Sequence, residues 1–179
     1  MALTLASRSP QRRAILQQLG VRFDVVVPEV EEIEEGDPRG LVVENARRKA
    51  SAVHGDPVLG VDTTVVLDGR SYAKPRDRDE ASRFLRALSG REHEVWSGLA
   101  LIRGGETTTA AACTRVRFRT VTDDFLRWYL DSGEWRDRAG GYAIQGRGAA
   151  LVEAVDGDFW NVVGLPVAEL LKIAPELLW

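Results

Sequence analysis

The chain has almost none of the residues from which disulfides and zinc sites are built. Among its 179 residues there is one cysteine, Cys113, and there are two histidines, His54 and His93. A single cysteine excludes an internal disulfide, and this ligand count excludes a zinc site made of cysteine and histidine. The absence of disulfides is typical of a reducing compartment, so we expect the chain to act in the cytoplasm.

Long apolar runs and a dominant charge are also missing. No stretch approaches the roughly 18 apolar residues of a membrane span, and the apolar run near the N-terminus is too short for a signal peptide. Lysine and arginine number 24 against 27 aspartates and glutamates, a net charge of −3 with both signs interspersed. We therefore expect neither a membrane nor a nucleic acid as partner. The length and the 44% apolar content favour one globular domain over residues 1–179.

Several common catalytic motifs are absent as well. The chain contains no Walker A loop, no HExxH helix and no GxSxG nucleophile elbow, which argues against a serine or zinc hydrolase. Its glycine-rich residues 140–148 lack the spacing of a dinucleotide-binding fingerprint. These glycines still allow a ligand close to the backbone, and Tyr142 and Gln145 can present a ring and an amide to it.

The most informative stretch that is present covers residues 57–75. Val58–Leu67 is an apolar, β-branched run of strand length with one carboxylate, Asp62, in its middle. An ionised carboxylate on a buried strand is disfavoured by several kcal/mol unless a cation, a metal or a set of donors meets it. The pattern therefore predicts a partner for Asp62.

The dipeptide Asp68-Gly69 predicts a two-residue hairpin turn directly after this strand. Continued pairing about the turn sets Lys74 opposite Thr63, which brings a cation close to Asp62. Two interpretations are open at this point. The stretch is either an edge hairpin with a hydrogen-bonded aspartate and a solvated lysine, or a site at which the two charges meet.

Leu3–Ala6 is predicted to be a buried strand that runs straight into a helix. Ser9 is typical of an N-cap and Pro10 of the first helical position. The helix N-terminus offers unpaired backbone N–H groups to an anion, and the hydroxyls of Ser7 and Ser9 add donors. Arg12 lies in the first turn, where the helix dipole disfavours a cation unless an anion binds there. The alternative is a capped surface helix with a solvated arginine.

An acidic segment and a second helix follow. Residues 28–37 contain five glutamates, most of which we expect to be solvated, although one can reach a metal. Pro38 is predicted to begin a helix whose narrow apolar stripe has Lys49 at its border. Such a lysine either packs its methylene chain on apolar surface with its ammonium group in water, or extends its ammonium group across the edge of the domain.

The second half of the chain contains further strands. Apolar alternation predicts a central strand over residues 95–102 and a return strand over 109–118. Residues 149–155 and Phe159–Val163 are predicted to be two paired strands about an Asp-Gly turn. A C-terminal helix is predicted to begin at Pro166.

Seven segments together resemble the Maf family of nucleoside triphosphate pyrophosphatases, once known as septum-formation inhibitors. In chain order they are LASRSPQRRAILQQLG, ENARRKA, VLGVDTTVVLDG, KPRDRDEA, LSGREHEVWSGLAL, DRAGGYAIQGRGA and NVVGLP. Each segment alone is weak evidence for the family, but the seven segments in this order are highly specific to it. The resemblance implies an α/β fold in which a long, mixed, bent β-sheet flanked by helices forms two lobes around a central cleft, as in ITPase-like proteins.

The resemblance also implies an activity, the hydrolysis of the α–β phosphate bond of a nucleotide to give a monophosphate and pyrophosphate. Asp62 matches the catalytic carboxylate, and Glu32 matches a glutamate that helps to hold a divalent cation, Mg²⁺ or Mn²⁺. Asp62 can act as a general base, as a metal ligand, or as both. The residues that can meet the charges of a triphosphate are Ser7, Ser9, Arg12, Lys49 and Lys74.

Three positions match residues that sort substrates in the family, namely Arg12, Thr63 and Gln145. Residues 142–146, YAIQG, look like the branch that takes dTTP and UTP, so the resemblance implies these two nucleotides as substrates. It also implies a homodimer.

Two departures from the family pattern keep other functions open. Gln11 stands where the family most often has an arginine, and Ala143 stands where it usually has a glycine. One alternative is a pyrophosphatase for a purine or 7-methylguanosine triphosphate. Another is a regulator of cell division that senses nucleotides without turnover.

Overall fold

The computed structural model describes residues 2–177, in which seven strands form one mixed β-sheet. The strands are β1 (Leu3–Ala6), β2 (Phe23–Val26), β3 (Val58–Leu67), β4 (Arg70–Tyr72), β5 (Glu92–Arg103), β6 (Glu106–Phe118) and β7 (Val152–Asp156). The helices are α1 (Pro10–Gln18), α2 (Pro38–Ser51), α3 (Arg78–Leu88), α4 (Asp123–Asp131), α5 (Phe159–Val163) and α6 (Val167–Ile173), with short 3-10 turns at Ala139–Gly141, Arg147–Leu151 and Pro175–Leu177.

This architecture confirms the expected α/β fold with a mixed sheet and flanking helices. The ends of the predicted domain, Met1 and Trp179, lie outside the described residues. Over the described range, none of the helices combines the length and the apolar character that crossing a bilayer requires.

Strand β3 lies at the centre of the sheet, whose order is β2-β1-β3-β5-β6-β7. β1 is parallel to both β2 and β3, and the other neighbours are antiparallel. β4 folds back on β3 about Asp68 and Gly69, whose positive φ values of 51° and 74° suit a two-residue turn. Leu67 pairs with Arg70, so the predicted hairpin is confirmed at its turn.

One edge of β3 is interrupted. β1 pairs with residues 58–60 and β4 pairs with residues 65–67 on the same edge, so no described strand lies beside residues 61–64 there. β5 pairs with β3 along the opposite edge. The interrupted edge contains Asp62 and Thr63, two of the residues that the sequence singled out.

The predicted pairing of Thr63 with Lys74 is wrong, because β4 ends at Tyr72 opposite Val65. The carbonyl oxygen of Ala73 instead accepts a hydrogen bond from the backbone N–H of Gly140, at 3.2 Å. The proline that follows Lys74 has no N–H group with which to continue a ladder. The hairpin therefore stops before it reaches the site.

The prediction of two paired strands after residue 148 is also wrong. Only Val152–Asp156 is a strand, and it pairs with β6, whereas Phe159–Val163 is helix α5. The carboxylate of Asp158 accepts a hydrogen bond from the backbone N–H of Trp160 at 2.8 Å and so caps this helix. Asn161 anchors the helix to the sheet by donating to the carbonyl oxygen of Val95. The cap and this tertiary contact outweigh the strand preference of a β-branched, aromatic run.

Two apolar clusters meet near the middle of β3. Leu59 and Val61 belong to a cluster with side chains of β1, α1 and α6, while Val65 and Leu67 belong to a cluster with side chains of α3 and α4. Thr63 lies between these two pairs on the same face of the strand. The two clusters are the cores of the two expected lobes, and Thr63 marks their boundary.

Helix α2 packs closely on the other face of β3 and β5. A Cβ atom at Gly60 would overlap the backbone carbonyl oxygen of Ala46, and one at Gly98 would overlap that of Val42. The two glycines therefore let the helix backbone approach the sheet. This close approach allows side chains of α2 to reach the centre of β3.

Candidate active site

Asp62 extends from the centre of β3 toward α2, where it meets Lys49. Nζ of Lys49 lies 2.6 Å from Oδ1 of Asp62, and each side chain is only 8% exposed. A charge-assisted hydrogen bond that is screened from water is among the stronger polar contacts in a protein. The cation that the sequence required beside Asp62 is thus supplied by the helix, and not by Lys74 of the hairpin.

The acidic segment contributes a second carboxylate to the same lysine. Oε1 of Glu32 lies 2.8 Å from Nζ of Lys49, and its side chain is 43% exposed. Partial burial on its own raises the pKa of Glu32, but the charge and hydrogen bond of Lys49, with the charges of Lys74 and Arg12, outweigh this and lower the pKa. Glu32 is therefore an anion at neutral pH.

Arg12 is buried, and all three of its nitrogens donate hydrogen bonds within the protein. Nε donates to the carbonyl oxygen of Gly164 at 2.9 Å, Nη1 to Oγ of Ser7 at 3.1 Å, and Nη2 to Oγ1 of Thr63 at 3.1 Å. Burial lowers the pKa of Arg12, and the negative charges of Asp62 and Glu32 act against this effect. The guanidinium thus joins β1, β3 and the end of α5 at the interrupted edge.

Thr63 has a second partner that the sequence analysis missed. Its Oγ1 forms a hydrogen bond of 2.8 Å with Oγ of Ser97, the residue directly opposite it on β5. Ser97 is fully buried. No local signal could have paired these residues, because the register between β3 and β5 is not set by a short turn.

The start of α1 is organised around its two serines. Ser9 is the N-cap residue, as predicted, but its side chain does not cap the helix. Its Oγ donates to Oε1 of Gln11 at 3.1 Å, and its backbone N–H donates to Oγ of Ser7 at 3.2 Å. The first-turn N–H groups of α1 are consequently not occupied by the Ser9 hydroxyl.

Lys74 is exposed and differs from Lys49 in its partners. Within residues 2–177, no carboxylate oxygen lies within 4.0 Å of its Nζ. Loss of water around the ammonium, together with the positive charges of Arg12 and Lys49, lowers the pKa of Lys74, while Glu32 and Asp62 act in the opposite direction. Lys74 therefore belongs to the same electrostatic cluster, but its hydrogen bonds are available to a ligand.

Residues 142–145 do not join this cluster by direct contact. Gln145 is exposed, and within residues 2–177 its side chain makes no hydrogen bond to Asp62, Thr63 or Arg12. Tyr142 is 6% exposed, packs among aromatic rings and forms a hydrogen bond of 2.8 Å with Nε2 of His93. The expectation that Tyr142 presents its ring to a ligand is wrong, because the ring is part of the apolar core.

Asn45 is a further polar residue that the sequence analysis missed. It is 1% exposed, and its amide contacts both Asp62 and the acidic segment. One signal could have found it, since Asn45 lies four residues before Lys49 and therefore on the same face of α2.

The site fits the divalent cation that the family resemblance implies. The ammonium of Lys49 lies between the carboxylates of Asp62 and Glu32, which marks a place where positive charge is favoured. In the part of the chain that the structure describes, no group of three or more His, Cys, Asp and Glu side chains could hold a metal alone. Because Mg²⁺ is commonly held by one or two carboxylates plus substrate phosphates, this pair suits a cation shared with a nucleotide.

Comparison with known proteins identifies a matching family and several similar proteins. The sequence profile of one family, described as Maf-like protein, matches residues 2–177. A relative from Symbiobacterium thermophilum named dTTP/UTP pyrophosphatase is 48% identical over 180 residues, which cover 97% of this chain and 93% of the relative. A relative of the same name from Pyrococcus furiosus is 41% identical over 179 residues, covering 96% and 93%. A solved structure described as "The structure of the Staphylococcus aureus Ham1 protein" is similar with a TM-score of 0.48 and 13% identity, over 66% of this chain and 72% of that one.

Proposed function

This chain belongs to the family of Maf-like proteins, and we propose that it hydrolyses dTTP and UTP to the nucleoside monophosphate and pyrophosphate. The substrate class is supported by relatives named dTTP/UTP pyrophosphatase that match nearly the whole chain. The observation that carries the reaction is the buried pair of Asp62 and Lys49 at the interrupted edge of β3. It combines a fixed carboxylate with a cation, and the partly exposed Glu32 and the exposed Lys74 lie on the solvent side of the same cluster.

The phosphate chain of the nucleotide is bound by the cations around this edge. Lys74 makes the first contact in this scheme, because its ammonium has no carboxylate partner among the described residues. Lys49 lies deeper and can exchange its bond with Glu32 for one with a phosphate. Ser7 and the first-turn N–H groups of α1 add donors, as an anion at a helix N-terminus requires. Ser9 adds one by exchanging its hydrogen bond with Gln11 for one with a phosphate.

Asp62 performs the proton transfer or holds the cation, and both roles need an ionised carboxylate in a fixed orientation. Lys49 on Oδ1 and Asn45 on Oδ2 provide this orientation. When bound, Mg²⁺ or Mn²⁺ held by Asp62 and Glu32 neutralises phosphate charge and polarises the phosphate oxygens. The oxygen of a water forms a bond to one of the two phosphorus atoms as the bond between the α and β phosphates breaks, which gives the nucleoside monophosphate and pyrophosphate. In the role of base, Asp62 takes the proton that this water loses.

Substrate choice is assigned to Arg12, Thr63 and Gln145. Arg12 and Thr63 are joined by one hydrogen bond, so they act as one unit at the boundary between the two lobes. Gln145 is exposed on a separate loop and, in the described structure, makes no hydrogen bond to Arg12 or Thr63, so we assign it to the base of the nucleotide and not to the phosphates.

We also infer that the protein works as a homodimer in the cytoplasm, where free nucleoside triphosphates are found. The family resemblance supports this assignment. Sedimentation equilibrium of the purified protein tests it, and a mass of 19.8 kDa at all concentrations would contradict it.

Release of pyrophosphate from purified protein tests the function. The assay includes dTTP, UTP, GTP and 7-methyl-GTP, each with Mg²⁺ or Mn²⁺, and Asp62→Asn is the matched control. We expect preferential release from dTTP and UTP that is lost in the variant. Faster release from a purine nucleotide would overturn the substrate assignment. Nucleotide binding without release from any of them would overturn hydrolysis and favour a sensor.

A further inference from the structure

Asn45 is a buried amide whose hydrogen-bonding groups are all used by the site. Oδ1 accepts a hydrogen bond from the backbone N–H of Ile33 at 2.8 Å. Nδ2 donates to the carbonyl oxygen of Ile33 at 2.9 Å and to Oδ2 of Asp62 at 3.1 Å. Because one partner is a donor and the other two are acceptors, the amide has a single orientation that satisfies all three.

The two contacts with Ile33 act as a substitute for a neighbouring strand. Residues 27–37 form neither helix nor strand, so their backbone groups lack ladder partners. Asn45 satisfies both the N–H and the C=O of one residue in this segment. Glu32 directly precedes Ile33, so this anchor fixes the backbone position from which Glu32 reaches Lys49.

The third contact fixes the rotation of the Asp62 carboxylate. Oδ1 of Asp62 receives Lys49 and Oδ2 receives Asn45, so the carboxylate cannot turn without breaking one of the two bonds. Both donors come from α2, one helical turn apart. Asn45 thus contacts Asp62 and the backbone of the segment bearing Glu32 at the same time, whereas Lys49 contacts the two carboxylates themselves.

We propose that Asn45 is a positioning residue that holds the carboxylates of Asp62 and Glu32 in their relative arrangement. This proposal rests on the hydrolytic function proposed above and deepens it. Loss of the amide leaves both carboxylates and all the phosphate-binding cations in the chain. Loss of the amide therefore slows turnover and lowers the affinity for the divalent cation, although every group that touches the nucleotide is still present.

Hydrogen exchange of the nucleotide-free protein tests the structural part of the proposal. Asn45→Ala removes all three bonds without adding a charge, while Asn45→Asp keeps the side-chain volume and the acceptor for Ile33 but replaces both donors with a second carboxylate beside Asp62. Thr114→Val is the matched control, since Thr114 is a fully buried polar residue of β6 with hydrogen bonds of its own. We expect faster exchange over residues 28–37 in Asn45→Ala and wild-type exchange there in Thr114→Val. Unchanged exchange in Asn45→Ala overturns the proposal.

Steady-state kinetics with dTTP and a titration of Mg²⁺ test the functional part. In Asn45→Ala, which adds no charge, we expect kcat to fall about 10- to 100-fold, as for other residues that orient metal ligands, and the half-saturating Mg²⁺ concentration to rise. The KM for dTTP at saturating Mg²⁺ stays within about twofold, because the nucleotide contacts remain. The proposal is overturned if kcat and the Mg²⁺ requirement of the variant equal those of the wild type. It is also overturned if kcat/KM falls only because KM rises.

The two proposals fail in different ways. If the wild-type protein releases no pyrophosphate from any nucleotide, the proposed function is wrong, and hydrogen exchange over residues 28–37 still decides whether Asn45 anchors the acidic segment. If the wild-type protein is active and Asn45→Ala equals it, only the role of Asn45 is wrong.

Discussion

Lys49 and Asp62 form a buried ion pair across the interface between α2 and β3, with 2.6 Å between Nζ and Oδ1. Removing one partner of such a pair leaves the other charge buried without compensation, which is usually strongly destabilising. Lys74 stands apart from this pair, because it is exposed and has no carboxylate partner among residues 2–177. Substitutions at the two lysines therefore have different consequences.

Asp62→Asn removes the charge of the carboxylate but keeps its shape. We expect pyrophosphate release to fall about 10²- to 10⁴-fold, the usual contribution of a positioned acid–base group, with an unchanged circular dichroism spectrum. Lys49 keeps Glu32 as a partner, so the fold is retained. Asp24→Asn, at an exposed aspartate of β2, is the matched control. Near-normal turnover in a well-folded Asp62→Asn protein would contradict the role of this carboxylate.

Lys49→Met leaves the carboxylates of Asp62 and Glu32 without the cation that joins them. We expect the free energy of unfolding to fall by about 3 kcal/mol, the lower end for a broken buried pair, because Glu32 is partly exposed. Mg²⁺ or Mn²⁺ should then raise the melting temperature of the variant more than that of the wild type, since a bound cation stabilises the folded state. Thermal unfolding with and without the cation measures both effects. Equal shifts in the two proteins would argue against a cation site between these carboxylates.

Lys74→Met removes a cation that supports no ion pair in the described structure. We expect the free energy of unfolding to change by less than about 0.5 kcal/mol. The KM for dTTP should rise about 10- to 100-fold, which corresponds to one lost charge-assisted hydrogen bond. Steady-state kinetics measure the change, and Lys172→Met, at an exposed lysine of α6, is the control. An unchanged KM would exclude Lys74 from the phosphate site.

His93 makes stability depend on pH in the acid range. It is 2% exposed, and burial lowers its pKa from 6.5 to about 4. Below pH 6.5 the unfolded chain takes up a proton that the folded protein does not accept until about pH 4. The contribution is therefore fully present above pH 6.5, and about 3 kcal/mol is lost as the pH falls to 4.

Urea unfolding at pH 7 and pH 5 measures this effect of His93. His93→Gln keeps a polar partner for Tyr142 and should lose much less stability between the two pH values. The exposed His54 provides the control substitution, His54→Gln, which should behave like the wild type. The same pH dependence in His93→Gln and in the wild type would show that other groups are responsible.

The features that could be predicted from the sequence are those decided within a few residues. Asp68-Gly69 determines the turn and the first pair of the hairpin, and Pro10 after Ser9 determines where α1 begins. The ordered segments of the family resemblance are sufficient to assign Arg12, Lys49 and Asp62 to one site. Their spacing in the chain, by contrast, says little about which side chains touch.

The features that escaped prediction depend on contacts between distant parts of the chain. Ser97 meets Thr63 only through the register of β3 and β5. Asn45 meets Ile33 only because the acidic segment passes beside the middle of α2. Helix α5 was predicted to be a strand, because a β-branched run carries no sign of the cap at Asp158 or of the anchor at Asn161. Sequence patterns report local preference, and these three cases are settled by tertiary partners.

The interrupted edge of β3 is also too short to recruit a typical strand from another chain. An unpaired strand edge normally recruits a strand from another chain. Here β1 and β4 bound residues 61–64 on both sides, so the opening is about 13 Å long at roughly 3.3 Å per residue. An added strand of the usual length, about five or six residues, would overlap β1 or β4 there, whereas a triphosphate is short enough to fit. The length of the opening therefore acts against β-strand addition, independently of the charges in the site.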